Sequence, residues 1–356
     1  MGNHISIACA SDERYFPGLL AMLSSLLLST NYGGCITIHV IDGGIHPASW
    51  AVLENTVIKI KDVQIKRHSP GLKVFDSFPN FYFDSKLAYA RLLLPSLLTE
   101  NKVVYIDSDI LFFKDIEQLW NMELNKAALT VQDNIYPTLE YDCPLYKELG
   151  FSPDDPYFNS GLMVMDLEKF RTDNIAQKTF HHLSTFPKAC KVYDQSALNV
   201  TLHGNFELLH PDWNTHYYED QYQVTHLHRH ISSINYHFIS KAKPWLSFGN
   251  GPYQQIFYAL LQIIHYHISA PSFQASKQSY YTKHHLSKYL PYYYYLRGAM
   301  KKIYGKKEGA KSDFKTAKHW RNYSDTAKRF SKAKHLVSDR ISELQSKAIC
   351  LQNEAF

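Results

Sequence analysis

The 356 residues are 45% apolar and 20% charged, enough to bury a full globular core, which excludes a peptide scaffold, a collagen-like fibre and a mostly disordered chain. Five cysteines, spread from Cys9 to Cys350 without a CxxC pair, form no thiolate zinc or thioredoxin-type motif and suit a reducing compartment. The net charge of +5 is uneven: residues 271–356 hold 18 Lys and Arg against 6 Asp and Glu, or +12, whereas the first 270 hold 20 against 27, or −7.

In chain order, Ile5 to Ala10 predicts a first strand and Leu19 to Leu28 a helix. Ile36 to Ile41 is a β-branched run ending at Asp42-Gly43-Gly44, a turn signal. A helix over Pro47 to Ile60, a strand near Val63 to Lys66, and a helix from Ser85 to Leu94 that ends near Pro95 follow. Lys102 to Ile106, Ala127 to Val131 and Gly161 to Leu167 read as buried central strands, with a helix starting at Glu168. Asp194 to Leu202 reads as a helix, Ile234 to Phe238 as a late strand and Pro252 to Tyr266 as a closing helix. Alternation of this kind predicts an α/β domain on a largely parallel sheet, with a soft boundary near residue 270.

No apolar run reaches the roughly 18 to 20 residues of a membrane span. The first apolar segment lacks a basic lead, so a cytosolic protein is expected. Beyond residue 270 the tyrosines at 280, 281 and 292 to 295 stand beside Lys, Arg and His. Aromatics interleaved with cations suit an anionic membrane surface, here the inner face, although a solvated basic helix pair has the same composition. No nucleic-acid motif accompanies the charge, so no nucleic-acid partner is expected.

Four segments carry chemistry. In Lys102-Val103-Val104-Tyr105-Ile106-Asp107-Ser108-Asp109, an apolar strand delivers two carboxylates at its carboxyl end, where open α/β sheets bind ligands. Oxygen donors without thiolates favour Mn²⁺ or Mg²⁺, commonly shared with substrate phosphates. His237 offers an imidazole to such a set, and Lys241 and Lys243 offer charge for a pyrophosphate. Asn159 precedes the strand led by Gly161, which puts its amide at a sheet edge. Asp194 and Gln195 open a helix, where Asp194 also reads as an ordinary N-cap.

Taken in order, Ala10-Ser11-Asp12, Tyr89-Ala90-Arg91-Leu92, Asp107-Ser108-Asp109, Phe158-Asn159-Ser160-Gly161, Asp194-Gln195, and His237 with Lys243-Pro244-Trp245 resemble glycosyltransferase family 8 over residues 4 to 265. These are retaining, nucleotide-sugar-dependent enzymes typified by bacterial lipopolysaccharide galactosyl- and glucosyltransferases. The resemblance implies a GT-A fold, a UDP-sugar donor and a glycan or glycolipid acceptor, to which the composition beyond residue 270 adds a basic, mostly helical C-terminal extension. It implies Asp107, Asp109 and His237 as Mn²⁺ ligands and Asp12, beside Ala10, as a uracil contact. Arg91 and Ser108 would line the donor, Asn159, Asp194 and Gln195 the donor sugar, and Ser240 and Lys243 the diphosphate. One departure is Ser240, which replaces the glycine of the family's His-x-x-Gly-x-x-Lys-Pro-Trp run. Without that glycine the hydroxyl donates instead or the loop shifts. A second is Arg14, where relatives carry a smaller polar residue.

The implied reaction moves glucose or galactose with its anomeric configuration kept. Gln195 stands at the candidate nucleophile position, and its neutral amide favours same-face substitution, with Asp194 orienting sugar hydroxyls. Two competing expectations are a metal-dependent nucleotidyltransferase, against which the absence of a Gly-rich loop after Ala10 speaks, and a non-catalytic membrane-surface binding protein of the same fold.

Overall fold

The computed structural model describes residues 4–79, 85–216, 234–239, 243–249, 252–269, 273–279, 295–297, 311–317 and 334–354. The chain divides into two compact units. One comprises Met1–Gln221, Ser232–Lys241 and Ser346–Phe356, the other Tyr222–Ile231 and Ala242–Gln345.

In the first unit, β1 (His4–Ser11), β2 (Cys35–Asp42), β3 (Gln64–His68), β4 (Lys102–Ile106), β6 (Ala128–Gln132), β7 (Phe158–Asp166) and β8 (Phe206–Leu208) form a seven-stranded sheet in the order β3-β2-β1-β4-β7-β6-β8. A second, two-stranded sheet pairs β5 (Ile110–Leu111) with β9 (Tyr236–His237). Helix α1 (Phe16–Ser29) is apolar on every side and buried except at Pro17. Helix α2 (Pro47–Ile60) buries only Trp50, Leu53, Val57 and Ile60, a single stripe.

Sheet order reverses between β1 and β4, which makes their carboxyl ends the switch point where α/β sheets hold ligands. Strand β7 runs antiparallel to both β4 and β6, so the sheet is mixed rather than nearly all parallel. A parallel β7 would need a covering crossover helix, and the chain between β6 and β7 supplies only the single turn Leu139–Asp142. The carboxyl ends of β1, β4 and β6 therefore share one sheet edge with the amino end of β7.

Three local expectations are corrected. The segment from Ser85 is a 3₁₀ turn over Leu87–Leu93, and Pro95 opens the short α-helix Leu94–Leu97 instead of ending one, because a first-turn proline gives up no needed N–H. Asn159 lies inside β7, opposite Val131, since the strand starts at Phe158. The helix Tyr193–Thr201 is capped at Val192, so Asp194 is not its N-cap.

In the second unit, Trp245 packs on Phe257 of the helix Pro252–Ile263, with ring centroids 5.7 Å apart. The described C-terminal segments are helical, the longest being Lys334–Glu354. No helix among the described residues is long and apolar enough to cross a membrane. Most of the tyrosine clusters, and Ser240 and Lys241, lie outside the described residues.

Candidate active site

Two ladders assemble the acidic pair and the imidazole. Pairing of β4 with β7 continues one residue past Ile106, where the Asp107 N–H donates to Gly161 O at 2.8 Å. The chain then turns, with the Ile110 N–H returning to Asp107 O, and enters β5. There Ile110 pairs with His237, and the Phe238 N–H donates to Asp109 O at 2.9 Å. Asp107, Asp109 and His237 thus present one donor atom each within 4.8 Å of one another. His237 Nε2 lies 3.1 Å from Asp109 Oδ1 and 3.9 Å from Asp107 Oδ2. Ser108, between the two carboxylates, is buried.

Strand β7 is built around this triad. Its register against β6 jumps between Thr130, paired with Met163, and Val131, paired with Asn159, so Ser160–Leu162 bulge out of the ladder. Thr130 Oγ1 ties the bulge by donating to Asn159 O at 2.9 Å and Leu162 O at 3.1 Å. The bulge frees backbone groups of Ser160 for side chains: its carbonyl accepts from Arg91 Nη1, and its N–H donates to Gln195 Oε1 at 3.0 Å.

Arg91 is 3% exposed and braces the floor of the site. Its Nη2 donates to Asp107 Oδ1 at 3.0 Å, and its guanidinium lies 4.5 Å over the Tyr105 ring. Tyr105 Oη donates to the same Asp107 oxygen at 2.9 Å, which leaves Oδ2 turned to His237. Nε of Arg91 donates to Ala88 O, so Asp194 Oδ2, 3.0 Å from Nε, receives charge without an aligned hydrogen bond. Burial would lower the Arg91 pKa, but Asp107, Tyr105 and Asp194 outweigh it and keep the guanidinium cationic. Burial pushes the Asp194 carboxyl up to about 6, Arg91 opposing and Asp107 reinforcing the rise.

A fourth carboxylate, Asp133, follows β6 at the same edge. Oδ2 accepts from Asn159 Nδ2 and Gln195 Nε2, each at 3.1 Å, while Oδ1 accepts the Ile135 and Tyr136 N–H groups at 2.7 and 3.0 Å. Burial raises its carboxyl, yet His216, the Tyr136 N–H and Asn159 prevail and hold it well below the usual carboxylate range. Asn214 completes the surround, donating to Asn159 Oδ1 at 2.8 Å and facing His237 Nδ1 at 3.0 Å.

The sequence profile of Glycosyl transferase family 8 matches residues 6–249. The chain belongs to this family. General stress protein A of Bacillus subtilis is 28% identical over 270 residues, covering 71% of this chain and 91% of the relative. Lipopolysaccharide 1,2-glucosyltransferase of Escherichia coli is 25% identical over 255 residues, covering 68% and 72%. The galactosyltransferase LgtC, solved with donor and acceptor sugar analogs, superposes with a TM-score of 0.61 at 22% identity, over 72% of this chain and 95% of that one. The family 8 fold here is GT-A, a mixed sheet with helices and a helical C-terminal extension.

In this family 8 chain the structure gathers Asp107, Ser108, Asp109, Arg91, Asn159, Asp194, Gln195 and His237 at one edge of the first unit, as a candidate site. Ala10 is buried in β1 beside Ile41, and Asp12 just beyond accepts the Tyr15 N–H at 2.9 Å. Burial raises the Asp12 carboxyl in spite of that bond and Arg14. Tyr15, which sequence reading missed, has its hydroxyl pKa pushed up by burial and then by Asp109, Asp12 and Asp107. Lys243 is buried in the second unit, where its carbonyl accepts the Leu246 and Ser247 N–H groups. Asp133 and Asn214 were also missed. Asp133 carried the signal that marked Asp107, a carboxylate at the carboxyl end of an apolar strand.

Proposed function

We propose that this chain transfers a hexosyl group, glucose or galactose, from a UDP-sugar to a hydroxyl of a glycan or glycolipid acceptor, of which lipopolysaccharide is the leading case, with retention of anomeric configuration. The observation that carries the reading is the convergence of Asp107, Asp109 and His237 at the sheet's switch point. Two carboxylate oxygens and one imidazole nitrogen make a hard, oxygen-rich set that fits Mn²⁺ or Mg²⁺. Gly161 also fits that use, since any side chain there would fill the space between the ligands. When bound, such an ion neutralises the donor's diphosphate and stabilises departing UDP.

The chain's own residues do the rest. Arg91 and Tyr105 hold one oxygen of Asp107, so the other keeps a single direction. Asp194 is buried with its Oδ2 held 3.0 Å from Arg91 Nε, and it is read as a donor-sugar contact from its motif. Gln195 Oε1 is committed to the Ser160 N–H and its Nε2 to Asp133. That commitment supports same-face substitution over attack by Gln195, with the acceptor proton passing to the departing phosphate. Asp12 is read as the uracil contact and Lys243 as a diphosphate contact from their motifs.

The test is a screen of UDP-sugars with Mn²⁺ and no acceptor. Slow cleavage of UDP-glucose or UDP-galactose, stopped by chelation, is expected, and no cleavage of any UDP-sugar overturns the reading. We further place the protein in the cytosol, with the basic region after residue 270 on the anionic inner membrane face. Sedimentation with anionic but not zwitterionic vesicles, weakened by salt, is expected. Equal binding to both vesicle types, or none, counts against it.

A further inference from the structure

The amides and the imidazole of the site form one hydrogen-bonded line whose polarity is dictated from its ends. At one end the Gly161 N–H donates to Asn159 at 3.0 Å and the Ser160 N–H to Gln195 at 3.0 Å. A backbone N–H is only a donor, so the receiving atoms are the amide oxygens. At the other end the Asp133 carboxylate only accepts, and it takes the NH₂ groups of both amides. Because Asn159 Oδ1 is an acceptor, the Asn214 atom 2.8 Å from it is Nδ2, which turns Asn214 Oδ1 toward His237 Nδ1 at 3.0 Å. An amide oxygen requires a proton from its partner. Nδ1 of His237 therefore carries one, and Nε2 is the nitrogen presented to Asp107 and Asp109.

We propose that Asp133 is a positioning residue that sets both the amide orientation of Gln195 and, through Asn159 and Asn214, the tautomer of His237. One buried carboxylate then pre-organises the metal-binding imidazole and the amide beside the donor sugar together. The proposal rests on reading His237 as a metal ligand and Gln195 as a donor-site group.

An asparagine at this position isolates the effect because it keeps the shape. Its Oδ1 must still accept the Ile135 and Tyr136 N–H groups, so its NH₂ faces the NH₂ groups of Asn159 and Gln195. Flipping either amide to relieve the clash turns an NH₂ onto the N–H of Gly161 or Ser160. No arrangement satisfies every group, and the line loses its single polarity.

Nitrogen NMR of histidine-labelled protein reads this directly, with His237 assigned by its loss in His237→Asn. In the wild type, with and without Mg²⁺, Nδ1 is expected to be the protonated nitrogen. In Asp133→Asn the Nδ1 proton is expected to be partly lost, and Mn²⁺ affinity measured without donor to fall about 10- to 100-fold. Asn214→Ala, with Asp133 intact, is expected to release the tautomer in the same way, and keeps the test alive if Asp133→Asn does not fold. An unprotonated Nδ1 in the wild type overturns the proposal, as does a wild-type tautomer and Mn²⁺ affinity in Asp133→Asn. If Asp109→Asn abolishes Mn²⁺ binding while Asp133→Asn changes neither quantity, the inference alone falls. If the tautomer shifts as expected in a protein that cleaves no UDP-sugar, the functional reading alone falls.

Discussion

Gly161 faces His237 so closely that a methyl group on its Cα would lie 2.4 Å from His237 Cε1 and 2.9 Å from Asp107 Oδ2. Its own carbonyl meanwhile accepts the Asp107 N–H at 2.8 Å. One residue of β7 thus fixes the backbone of one proposed ligand and makes room for the side chain of another. The requirement is for close approach and not for unusual backbone dihedrals.

Gly161→Ala is therefore expected to keep the fold, at a cost of about 1–3 kcal/mol for the forced shift of neighbours. Mn²⁺ affinity should fall at least tenfold. Urea denaturation and metal titration of the same preparation check both, and unchanged metal affinity would contradict the close-approach argument.

Arg91 joins Asp107, the Ser160 carbonyl, the Ala88 carbonyl and Asp194 through one planar group. A lysine cannot span these partners, so Arg91→Lys is expected to leave either buried Asp194 or partly exposed Asp107 unpaired. The expected loss is about 3–5 kcal/mol in unfolding free energy, with donor cleavage reduced at least 100-fold. Denaturation midpoints and donor turnover measure the two effects.

Asp194 supplies a pH signature. Its carboxyl titrates near 6 in the folded chain, with burial as the leading cause, against about 3.9 when unfolded. The folded state holds the extra proton between those values, so stability declines as pH rises from about 4 to 6 and is level above. Asp194→Asn lacks this decline. Relative to wild type it should gain roughly 2 to 3 kcal/mol between pH 4 and 7, read from urea curves at both pH values. A constant difference across that range would show that Asp194 is not held protonated by burial.

The sequence displays what is local. Strands β1, β2 and β4 and helices α1 and α2 follow from apolar periodicity and turn residues, and the Asp107-Ser108-Asp109 turn shows as polar residues inside an apolar run. The bulge at Ser160–Leu162 does not show, because it exists only relative to the register of β6. Nor does the bracing role of Arg91, which depends on a 3₁₀ turn meeting residues 16, 69 and 103 positions away. Asn214 reaches Asn159 across 55 positions and His237 across 23, beyond any spacing rule. Antiparallel β7 was hidden for a related reason, since a buried apolar run reads alike in either direction.

If Asp107, Asp109 and His237 hold a divalent cation that grips the diphosphate of a UDP-sugar, UDP binding must depend on that ion. Calorimetric titration of UDP into the full chain, with Mn²⁺ and with chelator, tests it most directly when run on wild type and on Asp109→Asn. UDP binding that requires Mn²⁺ in the wild type and weakens at least 100-fold in the variant is the predicted result. UDP bound equally well without metal, or equally well by Asp109→Asn, would contradict it.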